Sequence, residues 1–227
     1  MSATGRFLRN NGLTLAFGTA FLLALAGQAA AGQADLNNQL TAAGLQPLGL
    51  ARYLTSSQFA VDVTENWQSE YLQFFLYIFG TVWLLQRGSP ESKELDKAGT
   101  ESQREQKIGP HATDASPAWA RTGGLRLALF SRSLGLIMAL FFLGSWTSQS
   151  ITGWSAYNAE QLRDLQAPVT WGQYVTSADF WNRTLQNWQS ELLAVASMAI
   201  LSVYLRQRGS PESKPVGAAH TSTGIEG

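Results

Sequence analysis

Two glutamates, Glu70 and Glu191, end the two copies of a five-residue sequence, Asn-Trp-Gln-Ser-Glu, that begins at residues 66 and 187. The offset of 121 residues would place the two carboxylates in related positions near a membrane boundary. Such a pair could bind a cation, share a proton or line a polar path. Four amide side chains expected at a similar depth would complete this candidate polar membrane site: Asn66, Asn187, Gln28 and Gln149.

The same side chains also have a structural interpretation. Polar groups between transmembrane helices hydrogen-bond one helix to another, and each contributes about 0.6–2 kcal/mol. A glutamate near the start of a helix can also be solvated at the interface, away from the midplane where a charge costs most. Trp67 and Trp188, in the same five-residue sequence, are typical interface anchors, and stacking on a ligand is the alternative for them.

A second repeated sequence, Gln-Arg-Gly-Ser-Pro-Glu-Ser-Lys, occupies residues 86–93 and 207–214. Its arginine and glycine suit the end of a helix, and its first serine, proline and glutamate suit the start of a short surface helix. The final serine and lysine have no such explanation, which leaves a role in binding anionic lipid or a cytoplasmic partner as the alternative. The candidate contacts are Arg87, Lys93, Arg208 and Lys214.

Composition excludes several other kinds of site. The chain of 227 residues has no cysteine, which excludes disulfides, thiolate ligands and a cysteine nucleophile. Its two histidines, His111 and His220, lie in polar stretches, so we expect neither a histidine metal site nor a Ser-His-Asp triad. The net charge is zero, and nothing indicates a nucleic-acid partner. We therefore expect a protein that is not an enzyme and holds no cofactor.

The apolar runs indicate a membrane protein, as does a charged fraction of 14%, compared with about 25% in soluble domains. Residues 13–31 carry no charge and would reach about 28 Å as a helix, enough to cross a bilayer. This run also resembles a signal peptide, with an Ala-x-Ala cleavage site at residues 29–31. A matching run, from about Leu127 or Leu134 to Ser150, lies mid-chain and cannot be a signal, so we interpret both as mature helices.

A second helix is predicted to follow each of these runs. The pairs Thr55-Ser56 and Thr176-Ser177 are typical N-caps, and apolar residues at helical spacing continue to Gln86 and to near Leu205. Residues 32–54 are predicted to be a loop because they contain glycines and a proline. The pattern thus predicts an all-α, polytopic membrane protein with four transmembrane helices, arranged as two tandem hairpins in a parallel repeat.

Charge and composition divide and orient the chain. Of its sixteen lysines and arginines, only Arg52, Arg163 and Arg183 fall on the side of the two hairpin loops. By the positive-inside rule, both termini are cytoplasmic. We expect a first hairpin repeat over residues 1–93, a flexible cytoplasmic linker over 94–124, a second hairpin repeat over 125–214 and a disordered tail over 215–227.

The repeated motifs and Asn11-Gly12-Leu13 near the N-terminus resemble an uncharacterised bacterial family of integral membrane proteins. The resemblance covers most of the chain except the linker and the tail. It implies four transmembrane helices in the bacterial plasma (inner) membrane, and it implies no established activity.

Three classes of function follow from these observations. The first is a non-enzymatic membrane scaffold or envelope component, in contact with the lipid bilayer and with anionic lipid headgroups. The alternative is a small transporter, channel or ion-binding protein that uses the carboxylate pair of Glu70 and Glu191. Because four helices leave little room for a substrate cavity, this alternative would require a homodimer. An enzyme is the third class, and no nucleophile and base stand at motif spacing.

Overall fold

The structure, a computed structural model, describes residues 2–225, and these residues form helices joined by turns, with no strand among them. The prediction of an all-α chain is confirmed. The α-helices are α1 (Ala3–Asn10), α2 (Gly12–Ala42), α3 (Leu50–Leu54), α4 (Ser57–Gly80), α5 (Gly124–Phe130), α6 (Ser133–Arg163), α7 (Trp171–Val175) and α8 (Ala178–Tyr204). Two short 3-10 helices, Gly109–His111 and Ala118–Arg121, lie between α4 and α5.

Helix α2 is longer than predicted, because much of the expected loop is helical. The helix continues past Ala31 to Ala42, and α6 has the same length of 31 residues, about 46 Å. Polar side chains in this extension form bonds along the helix, such as the 2.9 Å bond from Gln39 Nε2 to Asp35 Oδ2. The helix ends only before Gly44, whose φ of +72° suits glycine.

Helix α4 is shorter than predicted and ends at Gly80 rather than at Gln86. Thr81 bonds back to Tyr77 through its hydroxyl at 2.7 Å, and the chain then leaves the helix in a turn. Helix α8 ends at Tyr204, as the prediction of an end near Leu205 requires.

The predicted short surface helices after α4 and α8 are turns instead. The hydroxyls of Ser89 and Ser210 accept hydrogen bonds from the amides of Glu91 and Glu212, two residues later, at 3.3 and 3.2 Å. No helix follows either serine in the structure, so each of these bonds closes a turn only.

Two helices of the described chain, α2 and α6, are long and apolar enough to cross a membrane by length and composition. Helices α4 and α8 do not meet this criterion. Both carry charges in the half that precedes or contains the Asn-Trp-Gln-Ser-Glu sequence: Asp62, Glu65 and Glu70 in α4, and Asp179, Arg183 and Glu191 in α8. Composition therefore supports two of the four predicted spans.

The chain divides into two compact units, one of residues 1–63 and 148–174, the other of residues 64–147 and 175–227. In the first unit, α3 packs against α2, and the Tyr53 hydroxyl lies so close to Gly32 that any Cβ there would overlap it. The Tyr174 hydroxyl lies against Gly153 in the same way. Glycine is required at both positions because the phenol ring approaches the helix backbone directly.

Candidate functional site

The two Asn-Trp-Gln-Ser-Glu sequences lie on α4 and α8 in the second unit, and they bury different residues. In the first copy, Gln68 and Ser69 are buried, with exposed fractions of 0% and 1%. In the second copy, the equivalent residues, Gln189 and Ser190, are exposed, and the residues on either side of them are half-buried. The two copies therefore do not use the same helix face.

A hydrogen bond joins the two copies through these different faces. The indole Nε1 of Trp188 donates to Gln68 Oε1 at 2.7 Å. The Nε2 of Gln68 donates to the Glu65 carbonyl at 3.1 Å, so both ends of this buried amide are bonded. Nearby, Arg183 forms an ion pair with Glu65 at 3.2 Å. Helices α4 and α8 are thus joined by polar contacts in the second unit.

Aromatic rings surround Trp188 on the other side. Its ring centroid lies 5.8 Å from that of Trp146 and 6.3 Å from that of Phe142. Trp146 also contacts Phe180 and Trp181, at 6.3 and 6.2 Å. Trp188, predicted to be an interface anchor, is half-buried in this aromatic cluster, whereas Trp67 is 39% exposed.

The six residues of the predicted polar membrane site are divided between the two units. Gln28 is half-buried and Gln149 is fully buried in the first unit. The other four lie in the second unit: Asn66, Glu70, Asn187 and Glu191. The Glu70 carboxylate lies close enough to Glu191 to act on it electrostatically. The amide of Asn187 donates to the Arg183 carbonyl in its own helix, at 2.9 Å.

An open polar cleft of about 600 Å³ lies beside this region in the second unit. Its wall includes Arg183, which contacts Glu65 at 3.2 Å and Asp179 at 3.5 Å. Because two carboxylates neutralise the guanidinium, the cleft offers no net positive charge to an anion. No group of three or more acids or histidines in residues 2–225 is arranged to hold a metal ion.

The second repeated sequence forms the same turn in both copies. The hydroxyl of Ser92 accepts from the Gln86 amide at 2.9 Å and donates to the Lys93 carbonyl at 3.0 Å. In the second copy, the hydroxyl of Ser213 accepts from the Gln207 amide at 2.9 Å and donates to the Lys214 carbonyl at 3.1 Å. The final serine, which sequence patterns left unexplained, closes the turn.

The final lysine of each copy holds the segment that follows it. Lys93 donates to the Gly99 carbonyl at 2.6 Å and pairs with Glu101 at 2.5 Å. Lys214 is 1% exposed, and its ammonium donates to the carbonyls of residues 219, 220 and 222 at 3.3, 2.9 and 3.2 Å. Burial, and then the nearby Arg206 charge, lower the pKa of Lys214 below its usual value. Arg87 and Arg208, in contrast, are exposed.

The tail, residues 215–225 of the described chain, contacts the first copy of this turn. The Gly88 amide donates to the Thr223 hydroxyl at 2.9 Å, and the Gly224 amide donates to the Ser89 carbonyl at 3.0 Å. The turns of the two copies, each with its final lysine, therefore form one hydrogen-bonded group with the tail in the second unit.

Sequence reasoning did not identify the polar clamps of the first unit, in each of which one asparagine side chain binds both the amide and the carbonyl of a loop residue. The side chain of Asn37 accepts from the Leu48 amide at 2.7 Å and donates to the Leu48 carbonyl at 3.0 Å. Asn158 binds Val169 in the same way, at 2.8 and 3.0 Å. The two asparagines, like Gly32 and Gly153, are identical residues at the offset of 121, and this identity was the available signal.

A family model with the description "Domain of unknown function (DUF6766)" matches residues 4–225 of the chain. No curated protein and no solved structure matches the chain.

Proposed function

The chain belongs to the DUF6766 family, a domain of unknown function, and we propose that it is an integral membrane protein without enzymatic activity. It acts in this proposal as a membrane scaffold or envelope component, and its turns and clamps fix the packing of its helices. The bilayer is its main partner. The family resemblance favours the plasma (inner) membrane of a bacterium.

The exposure of the apolar helices carries this proposal. In the most apolar 18-residue windows of α2 and α6, only 6% and 11% of the residues are buried. The core helix of a soluble protein buries such a surface, because each square ångström removed from water contributes about 25 cal/mol. Leu13, Phe17 and Leu140 are instead 76%, 71% and 61% exposed. In a bilayer, lipid chains would cover these side chains and keep their apolar surface out of water.

Helices α4 and α8 complete two proposed hairpins. Their mostly apolar stretches, residues 71–80 and 192–204, follow the Asn-Trp-Gln-Ser-Glu sequences and extend only about 15 and 20 Å, so these sequences would lie within the outer half of the bilayer. At 24 and 27 residues, the helices extend about 36 and 40 Å, more than a hydrocarbon core of about 30 Å. The hydrogen bonds that recur at the offset of 121 support a parallel duplication of one hairpin.

The proposed orientation has both termini and the linker in the cytoplasm, in agreement with the distribution of lysine and arginine. The exposed Arg87 and Arg208 follow α4 and α8 and would meet anionic headgroups there. The segments clamped by Asn37 and Asn158 would then lie on the outer side.

One feature favours the alternative of a small transporter, channel or ion-binding protein, and this is the electrostatic effect of the Glu70 carboxylate on Glu191. A scaffold predicts that the double variant Glu70→Gln/Glu191→Gln leaves assembly unchanged. An ion-coupled protein, acting as a homodimer, predicts a cation flux in vesicles that the double variant abolishes. Absence of any flux from the wild type would rule out this alternative.

Alkaline carbonate extraction of cell membranes tests the main proposal. The full chain should stay in the membrane pellet, because the exposed faces of α2 and α6 hold it in the bilayer, and detergent should release it. Release into the supernatant by carbonate alone would contradict an integral membrane protein.

A further inference from the structure

A cavity of about 850 Å³, here named the linker cavity, lies in the second unit between the linker and the segment that joins α5 to α6. Its volume is within the range of about 300–1,000 Å³ typical of small-molecule sites. One part of its wall is polar and contains Lys107, Arg132, Ser116 and Ser131. Lys93 and Glu101 also line it, but these two side chains neutralise each other in an ion pair. The net charge of the lining is therefore positive.

Lys107 is held at this cavity by a backbone conformation that favours glycine. Its φ is +52°, its amide donates to the Arg104 carbonyl at 3.2 Å, and the Ile108 amide donates to the Gln103 carbonyl at 3.1 Å. These two bonds and the left-handed residue define a Schellman turn, in which glycine is the usual residue at this place. A lysine in this conformation is compatible with a functional position, because strained residues occur often at ligand sites.

The turn that carries Lys107 is also capped at its start. The Ser102 hydroxyl and amide both bond to a carboxylate oxygen of Glu105, at 2.7 and 2.9 Å, and the Glu105 amide donates to the Ser102 hydroxyl at 3.3 Å. This is a capping box. Together with the Schellman turn, it holds residues 102–108 in a single ordered turn. The lysine is thus presented by a defined turn within a segment that composition predicts to be flexible.

Lys107 and Arg132, the two cations of the linker cavity, have hydrogen-bond donors that the described residues leave unused. Within residues 2–225, neither Lys107 nor Arg132 forms an ion pair. Arg132 uses Nη1 for a 3.2 Å bond to the Ala128 carbonyl, and a guanidinium has five donors in all. Arginine and lysine with free donors are the side chains that bind phosphate oxygens in proteins.

Another part of the cavity wall is apolar and contains Val82, Ile108, Leu127 and Phe130. The Phe130 ring meets the Trp119 ring edge to face at 6.5 Å, so the linker packs against α5 beside the cavity. A ligand that fits must therefore carry both an anionic group and an apolar part. In the proposed topology, this cavity lies on the cytoplasmic side of the bilayer, where basic pockets next to transmembrane helices bind anionic headgroups.

We propose that the linker cavity binds an anionic phospholipid, with the phosphate at Lys107 and Arg132 and the upper part of an acyl chain along Leu127 and Phe130. The proposal rests on the membrane location argued above. It names a specific lipid class as the partner of that membrane protein, and it assigns the linker a function in lipid binding.

The experiment is a calorimetric titration of the purified full chain in a neutral detergent with short-chain phosphatidylglycerol. The double variant Lys107→Gln/Arg132→Gln should bind at least about tenfold more weakly, because it loses charge-assisted bonds to phosphate. The matched control, Lys97→Gln/Arg121→Gln, removes the same charge outside the cavity and should bind as the wild type does. Equal weakening in both double variants would overturn the proposal.

Two further measurements distinguish a lipid from free phosphate as the ligand, and a loss of binding from a loss of folding. Glycerol phosphate should bind far more weakly than phosphatidylglycerol, and equal affinities would show a site for free phosphate and overturn the lipid assignment. Lys107→Gly suits the left-handed backbone, so it should lower lipid affinity while the Tm is maintained. Full affinity in Lys107→Gly would also overturn the proposal. Carbonate extraction of the same variants reports membrane integration separately, since none of these changes alters α2 or the apolar part of α6.

Discussion

Trp188 donates a 2.7 Å hydrogen bond from its indole Nε1 to Gln68 Oε1, and this bond joins the two copies of the repeated sequence through residues that are not equivalent in the repeat. The residue equivalent to Gln68 is Gln189, which is exposed. The sequences are identical, but one copy provides the acceptor and the other provides the donor. A repeated sequence has thus acquired two different packing roles.

This asymmetry predicts different effects for the same substitution in the two copies. Gln68→Ala leaves the half-buried indole donor of Trp188 without its acceptor and should lower the free energy of unfolding by about 1–3 kcal/mol. Gln189→Ala, the matched control, should change it by no more than about 0.5 kcal/mol, since that side chain is exposed. Thermal unfolding of the purified protein in detergent measures both. Equal effects would mean that the bond does not stabilise the protein.

The ends of α2 and α6 predict a stabilising substitution. Gly44 and Leu165 occupy equivalent left-handed positions, with φ of +72° and +58°, and each precedes an amide that closes the helix end, Leu45 to Leu40 at 2.8 Å and Gln166 to Gln161 at 2.7 Å. Leu165 is 94% exposed and gains no packing from its side chain. Leu165→Gly should therefore raise the free energy of unfolding by about 1 kcal/mol.

The first copy provides the reverse control for this helix end. Gly44→Leu should lower stability by a similar amount, because a Cβ in the left-handed region approaches its own carbonyl. Chemical unfolding of the three proteins compares them. A loss of stability in Leu165→Gly would show that the leucine side chain has a contact that offsets the strain.

The clamp at Asn37 predicts a local loss of stability. In Asn37→Ala, the Leu48 amide loses its acceptor, while the Leu48 carbonyl keeps the 2.8 Å bond from Gln33. The expected cost is about 1–3 kcal/mol for the unsatisfied amide. The neighbouring exposed Asn38, changed to alanine, is the control and should have little effect. If both variants unfold at the same temperature as the wild type, the clamp does not hold the loop.

The buried ammonium of Lys214 predicts how the tail is held. Lys214→Met removes three bonds to backbone carbonyls, so the Gly224 amide, bonded to Ser89 at 3.0 Å, should exchange with deuterium roughly tenfold faster or more. Lys97→Met is the control, because Lys97 forms only an exposed ion pair with Glu94. Unchanged exchange in Lys214→Met would mean that the tail is held by its other contacts alone.

Some of this structure could be predicted from the sequence, and the reasons for the rest are physical. Apolar periodicity and N-cap serines identified the helices, and Ser56 and Ser177 do cap α4 and α8 through the amides of Phe59 and Phe180, at 3.2 Å each. The extension of α2 to Ala42 was missed because its polar residues resemble a loop until their bonds along the helix are known.

The partners of the repeated side chains could not be predicted at all. Periodicity does not tell which face of α4 meets α8, so the pairing of Gln68 with Trp188 has no signal in the sequence. The role of Lys214 was hidden because its partners are backbone carbonyls, which are the same for every residue type. For the candidate carboxylates Glu70 and Glu191, the repeat predicted related positions, and the structure brings them within electrostatic range.

The central claim is that two hairpins cross the membrane with their clamped loops outside, and cysteine labelling tests it most directly. The chain has no cysteine, so each single-cysteine variant is labelled at one position only. Gln46→Cys and Ala167→Cys, in the loops after α2 and α6, should react in intact cells with a maleimide that cannot cross the membrane. Asp114→Cys, in the linker, should react only after the cells are opened. Labelling of Asp114→Cys in intact cells, or protection of either loop, would contradict the account.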